Sequence, residues 1–188
     1  MPLTTLDIRE PGLNVLPPGV ERHVVSAGGI TGIQIFPDDE IELINDEGNQ
    51  VCEITCFDKN GKCELGILNL KENKNSNAIQ ELLKGKEESV LVTNLQLKKR
   101  NLNIDKSKTS ILFDADSESG EKVKLKAKDK CYVIFAAPKN EMLIHDQNPS
   151  GDLTLFIKRS KVVNDKELTV IPDPIYDPNY EENIFRQT

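Results

Sequence analysis

The sequence has no tryptophan, and three tyrosines and six phenylalanines are its whole aromatic complement. So few rings exclude a nucleic-acid platform built on base stacking. Histidine is scarce too, with only His23 and His145. The four cysteines, Cys52, Cys56, Cys63 and Cys131, show no Cys-x-x-Cys spacing, so neither a zinc ribbon nor a disulfide framework is expected. No serine stands in a Gly-x-Ser-x-Gly setting, which removes the hydrolase elbow. No stretch approaches the roughly 18 apolar residues of a membrane span. The first 25 residues lack the basic start and apolar run of a secretory or transit peptide. The expectation is a cytoplasmic chain with reduced cysteines and neither a membrane nor a nucleic-acid partner. A net charge of −7 also argues against a general polyanion binder.

What is present is enough for one domain with a core: 188 residues, 37% of them hydrophobic. Period-two alternation dominates. "ITGIQIF" (30–36), "EIELIN" (40–45), "QVCEITCF" (50–57) and "CELGILNL" (63–70) are separated by turn-rich "PDD", "DEGN" and "DKNGK". Strand, turn, strand in this rhythm reads as a meander. "SNAIQELLKGK" (76–86) is the one clear helix, with Ser76 to cap it and Gly85 to end it. "SVLVTNL" (89–95) returns to strand, "LKKRNLNIDKSK" forms a polar hairpin or loop, and further strands follow at 109–114, 121–128, 131–138, 141–146, 152–159 and 167–171. The fold expected is mainly β: an antiparallel barrel-like or two-sheet sandwich with one short α-helix. It occupies residues 18–162, between an N-terminal arm (1–17) and a proline- and aspartate-rich linker or C-terminal arm (163–188).

Cys52 and Cys56 pose the sharpest local question. On a helix, thiols four residues apart could share a metal. On a strand they stand roughly 13 Å apart, too far for one zinc ion. The 50–57 segment is rich in valine, isoleucine, threonine and phenylalanine and is bracketed by turns, so it reads as a strand. Cys52, Ile54 and Cys56 then share one face and pack as small hydrophobes, with metal binding or catalysis the alternatives. Glu53 faces the other way with Val51 and Phe57, and a carboxylate among apolar neighbours needs water, a partner or a pocket.

Other candidate groups are few. His145 and Asp146 are adjacent, and adjacent residues on a strand point apart, so a dyad would need a turn there. Lys122, Lys124, Lys126, Lys128 and Lys130 line one strand face; they form either a strip for an acidic partner or a solvated outer face that blocks edge pairing. Gln50 and Glu53 exceed what the turn at 46–49 requires, but their odd separation places them on opposite faces.

The stretch "AGGITGIQIFPDDEIELINDEGNQVCEITCF" (27–57) resembles the opening of the urea-carboxylase-associated domain family. Asp39, Asp46, Gly48, Asn49 and Gln50 match its pattern, and Glu53 stands where the family carries aspartate. "SGEKVKLKAKDKCYVIFAAP" (119–138) is similar to a second family motif, but Ala136-Ala137-Pro138 stands at the family's serine-alanine-cysteine-proline end, so the hydroxyl and the thiol are both missing. The family includes carboxyguanidine deiminase subunits. The chain lacks the family's central threonine, histidine and cysteine motifs between residues 70 and 110. The resemblance is closer for the variant that precedes a glycine-cleavage T-protein-like aminomethyltransferase, since "MLIHDQNPSGDLTLFIKR" (142–159) is similar to the end of that unit. It implies a non-catalytic accessory or small-ligand-binding domain associated with a folate-dependent one-carbon enzyme. An aminomethyltransferase domain or subunit is the partner implied. Tetrahydrofolate is expected only in that fused or partner domain, with no cofactor, metal or catalytic residue in this segment. Asn49, Gln50 and Glu53, followed by His145 and Asp146, are the candidate contacts for a small amine or amidine. The alternatives are a deiminase or amidohydrolase acting on a guanidino or ureido compound, and a protein-interaction module built on the lysine strip and the C-terminal arm.

Overall fold

The computed structural model describes residues 16–73, 76–139 and 151–161. Eight strands lie in them: β1 (Val20–Val25), β2 (Ile30–Ile35), β3 (Glu40–Asn45), β4 (Cys52–Asp58), β5 (Ser110–Phe113), β6 (Glu121–Lys126), β7 (Cys131–Ala136) and β8 (Leu153–Lys158). They form two antiparallel four-stranded sheets, ordered β1-β8-β3-β6 and β2-β7-β4-β5. The expectation of a mainly β, two-sheet fold holds, and the sheets do not close into a barrel.

The meander does not form. β3 pairs with β6 and β8, while β2 pairs with β7, so β1 to β4 alternate between the two sheets and only β4 and β5 are sequence neighbours paired side by side. Alternation marks which side chains share a face; it is silent on which strand lies alongside. One core fills the space between the sheets. Ile41 and Leu43 of β3 and Leu153, Leu155 and Ile157 of β8 meet Cys52, Ile54 and Cys56 of β4 and Val133 and Phe135 of β7 there. Burying each large side chain contributes about 1.5–3 kcal/mol.

A second apolar layer covers the other face of the β2-β7-β4-β5 sheet. Ile30, Phe57, Tyr132 and Ile134 project into it from the strands and meet Ile79, Val90 and Leu97. The latter three belong to two helices, α1 (Ala78–Leu82) and α2 (Glu88–Lys99). β7, covered on both faces, is buried along its whole length.

α2 occupies the segment expected to be a strand at 89–95. Its buried residues, Val90, Thr93 and Leu97, recur at helical spacing, and Lys98 and Lys99 sit in its last turn, where cations complement the helix dipole. The short β-branched run looked extended because the stripe completes itself only at Leu97. α1 begins after Asn77 rather than Ser76, and no side chain caps it. The strand expected at 63–70 reduces to a single bridge between Phe57 and Cys63, followed by a 3-10 turn over Leu65–Leu68. The Glu64 carboxylate accepts the Gly66 N–H there, and Asn69 ends the turn in the left-handed region. The strands expected at 141–146 and 167–171 lie outside the described residues, as do the arms apart from residues 16 and 17.

Candidate functional site

The turn between β3 and β4 is built from its glycine outward. Gly48 has φ +79°, and a Cβ there would stand 2.7 Å from the Ser119 nitrogen and 2.8 Å from the Ser117 oxygen. Only glycine combines that φ with so close an approach to the 117–119 loop. Asn49 follows at φ 57° and donates its N–H to the Ser117 carbonyl at 2.8 Å. Asparagine is among the few residues that tolerate this region. Asp46 accepts a bond from the Thr154 hydroxyl at 2.5 Å, tying the turn to β8.

Gln50 is fully buried. Its amide nitrogen donates to the Val51 and Pro138 carbonyls, both at 2.8 Å. With the nitrogen fixed between two acceptors, the orientation of the amide is settled, and Oε1 is left without a donor. Asn45 repeats the pattern: Nδ2 donates to the Gln50 carbonyl at 3.0 Å, and Oδ1 has no donor. The sequence carried a signal for Asn45 that was not used. It shares the inward face of β3 with Ile41 and Leu43, and a polar residue at an inward position calls for a partner.

Glu53 is fully buried on the opposite face of β4. One carboxylate oxygen accepts the Ile79 N–H at 3.2 Å, at the start of α1, and the other has no donor. The structure therefore places Gln50 at the end of the intersheet core and Glu53 beneath the helices. The opposite-face expectation for this pair is met, and Asn49, Gln50 and Glu53 do not converge on one pocket. His145 and Asp146 lie outside the described residues. His23, on β1, bonds Glu21 at 3.1 Å.

Cys52 and Cys56 are buried in the intersheet core, as expected of strand residues facing inward. Burial, and then the neighbouring Glu53 charge, pushes the Cys52 thiol far above its ordinary range. A hydrogen bond with Cys131, followed by burial, does the same for Cys56. Since the thiolate is the reactive form, neither residue is primed as a nucleophile. Among the described residues, no three histidine, cysteine or acidic side chains come together as a group that could hold a metal.

The lysine strip is shorter than its spacing suggested. Lys122 and Lys124 pair with Glu42 across the strand, at 3.2 and 3.5 Å, and Lys126 pairs with Asp38 at 3.1 Å. β6 ends at Lys126, where Ala127 turns inward; Lys128 reaches Asn69, and Lys130 lies over the Phe36 ring. No described helix is long and apolar enough to cross a membrane.

Fold and site together define a mainly β two-sheet domain with a helical cover on one sheet and buried, half-bonded polar groups at the β3–β4 turn. No family model matches the chain. It is similar to the trimethylamine-oxide aldolase of Ruegeria pomeroyi, 31% identical over 171 residues. The match covers 91% of this chain but only 22% of that protein, so the chain spans about a fifth of its relative's length.

Proposed function

We propose that the chain is a non-catalytic module of a trimethylamine-oxide-aldolase type of system, of the urea-carboxylase-associated kind. The observation that carries this reading is the match itself, which takes in nearly the whole of this chain and a small part of the relative. Breaking one C–N bond and the N–O bond of trimethylamine oxide, with the oxygen ending on the departing carbon and one methyl hydrogen on nitrogen, balances as one dimethylamine and one formaldehyde. Formaldehyde is a one-carbon unit, which accords with a folate-dependent, aminomethyltransferase-like partner domain that would carry the tetrahydrofolate. The withdrawn thiols of Cys52 and Cys56 support an accessory role over a thiol-dependent deiminase.

The test replaces the matched segment of the relative with this chain. The chimera is expected to release formaldehyde from trimethylamine oxide, while this chain alone releases none. Turnover by the isolated chain, or a folded but inactive chimera, would overturn the proposal.

One unpartnered oxygen, Glu53 Oε1 beneath the helices, is the acceptor a small ligand would use within this reading, since Gln50 Oε1 lies on the opposite face. Trimethylamine oxide has no N–H to offer it, whereas dimethylammonium and guanidinium do. Dimethylammonium should raise the melting temperature more than tetramethylammonium at equal ionic strength, and Glu53→Gln should reduce that difference. An equal response to both ions sinks the amine-binding role.

A further inference from the structure

The β1-β8-β3-β6 sheet buries one face in the core, while the helices pack on the other sheet, against β2, β4 and β7. Its outer face carries an apolar strip, with Val24 45% exposed and Phe156 partly so. A groove of about 540 Å³ crosses it, lined by Val20, Phe156, Lys124, Lys126 and Lys158, with Glu40 and Glu42 on the strand that runs between Phe156 and the β6 lysines. Antiparallel register sets Lys158 beside both Val20 and Glu40, so β8 ends inside this groove.

We propose that this face is the docking surface for the chain's own acidic, aromatic segment 173–185, "DPIYDPNYEENIF". The segment holds Asp173, Asp177, Glu181 and Glu182 and no lysine or arginine. It also holds three of the chain's nine aromatic rings, Tyr176, Tyr180 and Phe185. That composition complements an apolar strip bounded by Lys158, which has no ion pair among the described residues, and by Lys122, Lys124 and Lys126, which outnumber the Glu42 and Asp38 carboxylates they pair with. It would place rings over Phe156 and Val24, with carboxylates on Lys158 and sharing the other ammonium groups. Reach is ample. The eleven residues between Lys161 and Asp173 span up to roughly 40 Å when extended, against roughly 20 Å for a six-residue strand. Pro174 and Pro178 favour extended backbone over helix, lowering the ordering cost of lying along a sheet. This inference is independent of the proposed function, since it concerns the opposite side of the molecule from Glu53.

Zero-length carbodiimide coupling of the full 188-residue chain tests it. Mass spectrometry should find Glu181 or Glu182 joined to Lys124, Lys126 or Lys158. A mixture of isotope-labelled and unlabelled chains should show the links to be intramolecular. Acetylation of Lys124 and Lys126 should be several-fold slower in the wild-type chain than in the Glu181→Lys, Glu182→Lys double variant, and 1 M salt should remove the difference. Links confined to different chains would assign the surface to a second copy. Equal lysine reactivity in both proteins would leave the face open. Either result overturns the proposal.

Discussion

Arg159 reaches Asp39 across 120 residues of sequence, with Nη1 2.7 Å from Oδ2. Asp39 is 1% exposed and also accepts the backbone N–H groups of Phe36 and Ser160. The same guanidinium grips Glu21 on β1 through Nε and Nη2, at 2.7 and 2.9 Å. One side chain thus ties the end of β8 to the β2–β3 turn and to the edge strand. Replacing Arg159 with leucine leaves a buried carboxylate without its counter-charge. The expected loss is about 3 kcal/mol, the lower end of the range for a broken buried pair, because Arg159 keeps some contact with water. Urea denaturation measures it; a loss below about 0.5 kcal/mol would show the pair to be idle.

Acid should weaken this clamp. A hydrogen bond from His23 is the largest cause that lowers the Glu21 carboxyl from 4.5 to about 2; burial opposes the shift, and Arg159 adds to it. A folded-state pKa below the unfolded value means the stabilisation is present above about 4.5 and is lost as pH falls toward 2. Glu21 is half-exposed, so the contribution is modest. Melting temperature followed from pH 5 to pH 2 should fall more steeply in the wild-type protein than in Glu21→Gln. Parallel curves would count against the assignment.

Thiol reactivity should separate one cysteine from three. Cys63 alone is partly exposed; its sulfur accepts the Lys108 N–H at 3.0 Å. Native-state titration with a disulfide reagent should modify one thiol per chain, and Cys63→Ser should abolish that phase. Cys52, Cys56 and Cys131 should react only on unfolding. Rapid modification of Cys52 or Cys56 in the native protein would contradict their burial.

Gly48→Ala tests the β3–β4 turn. The substitution adds a left-handed φ penalty of roughly 1–2 kcal/mol and drives a Cβ into the backbone of Ser117 and Ser119. The combined loss should exceed about 2 kcal/mol in chemical denaturation. It should also release the Gln50 side chain from Pro138, visible as faster exchange of its amide protons. An unaltered midpoint would show that the turn accommodates a side chain.

Legibility differed from residue to residue. The face assignments of Cys52, Glu53, Ile54 and Cys56 could be read directly, because a strand's side chains alternate whatever surrounds it. The burial of Glu53 was not readable: it depends on α1 and α2 covering that sheet, and α2 itself was hidden in "SVLVTNL", a β-branched run whose helical stripe extends past the window that suggested a strand. Asp39 fell in a recognised motif, but its partner Arg159 is one of three cations in "IKRSK", 120 positions away, with no local pattern to single it out. The five-lysine strip failed for a simpler reason: the strand stops at Lys126, and the turn that follows breaks the alternation.

By itself the sequence determined the class of fold, the sidedness of each strand and the sites of the turns at Gly48 and Gly61, since these follow from local backbone preference and a two-residue period. Tertiary structure alone decided which strands pair, that β1 to β4 alternate between two sheets while β5 stays beside β4, and which polar groups end up buried with an oxygen unbonded. Those outcomes are set by contacts between residues far apart in the chain. Long-range packing selects among the pairings that local preference leaves equally open.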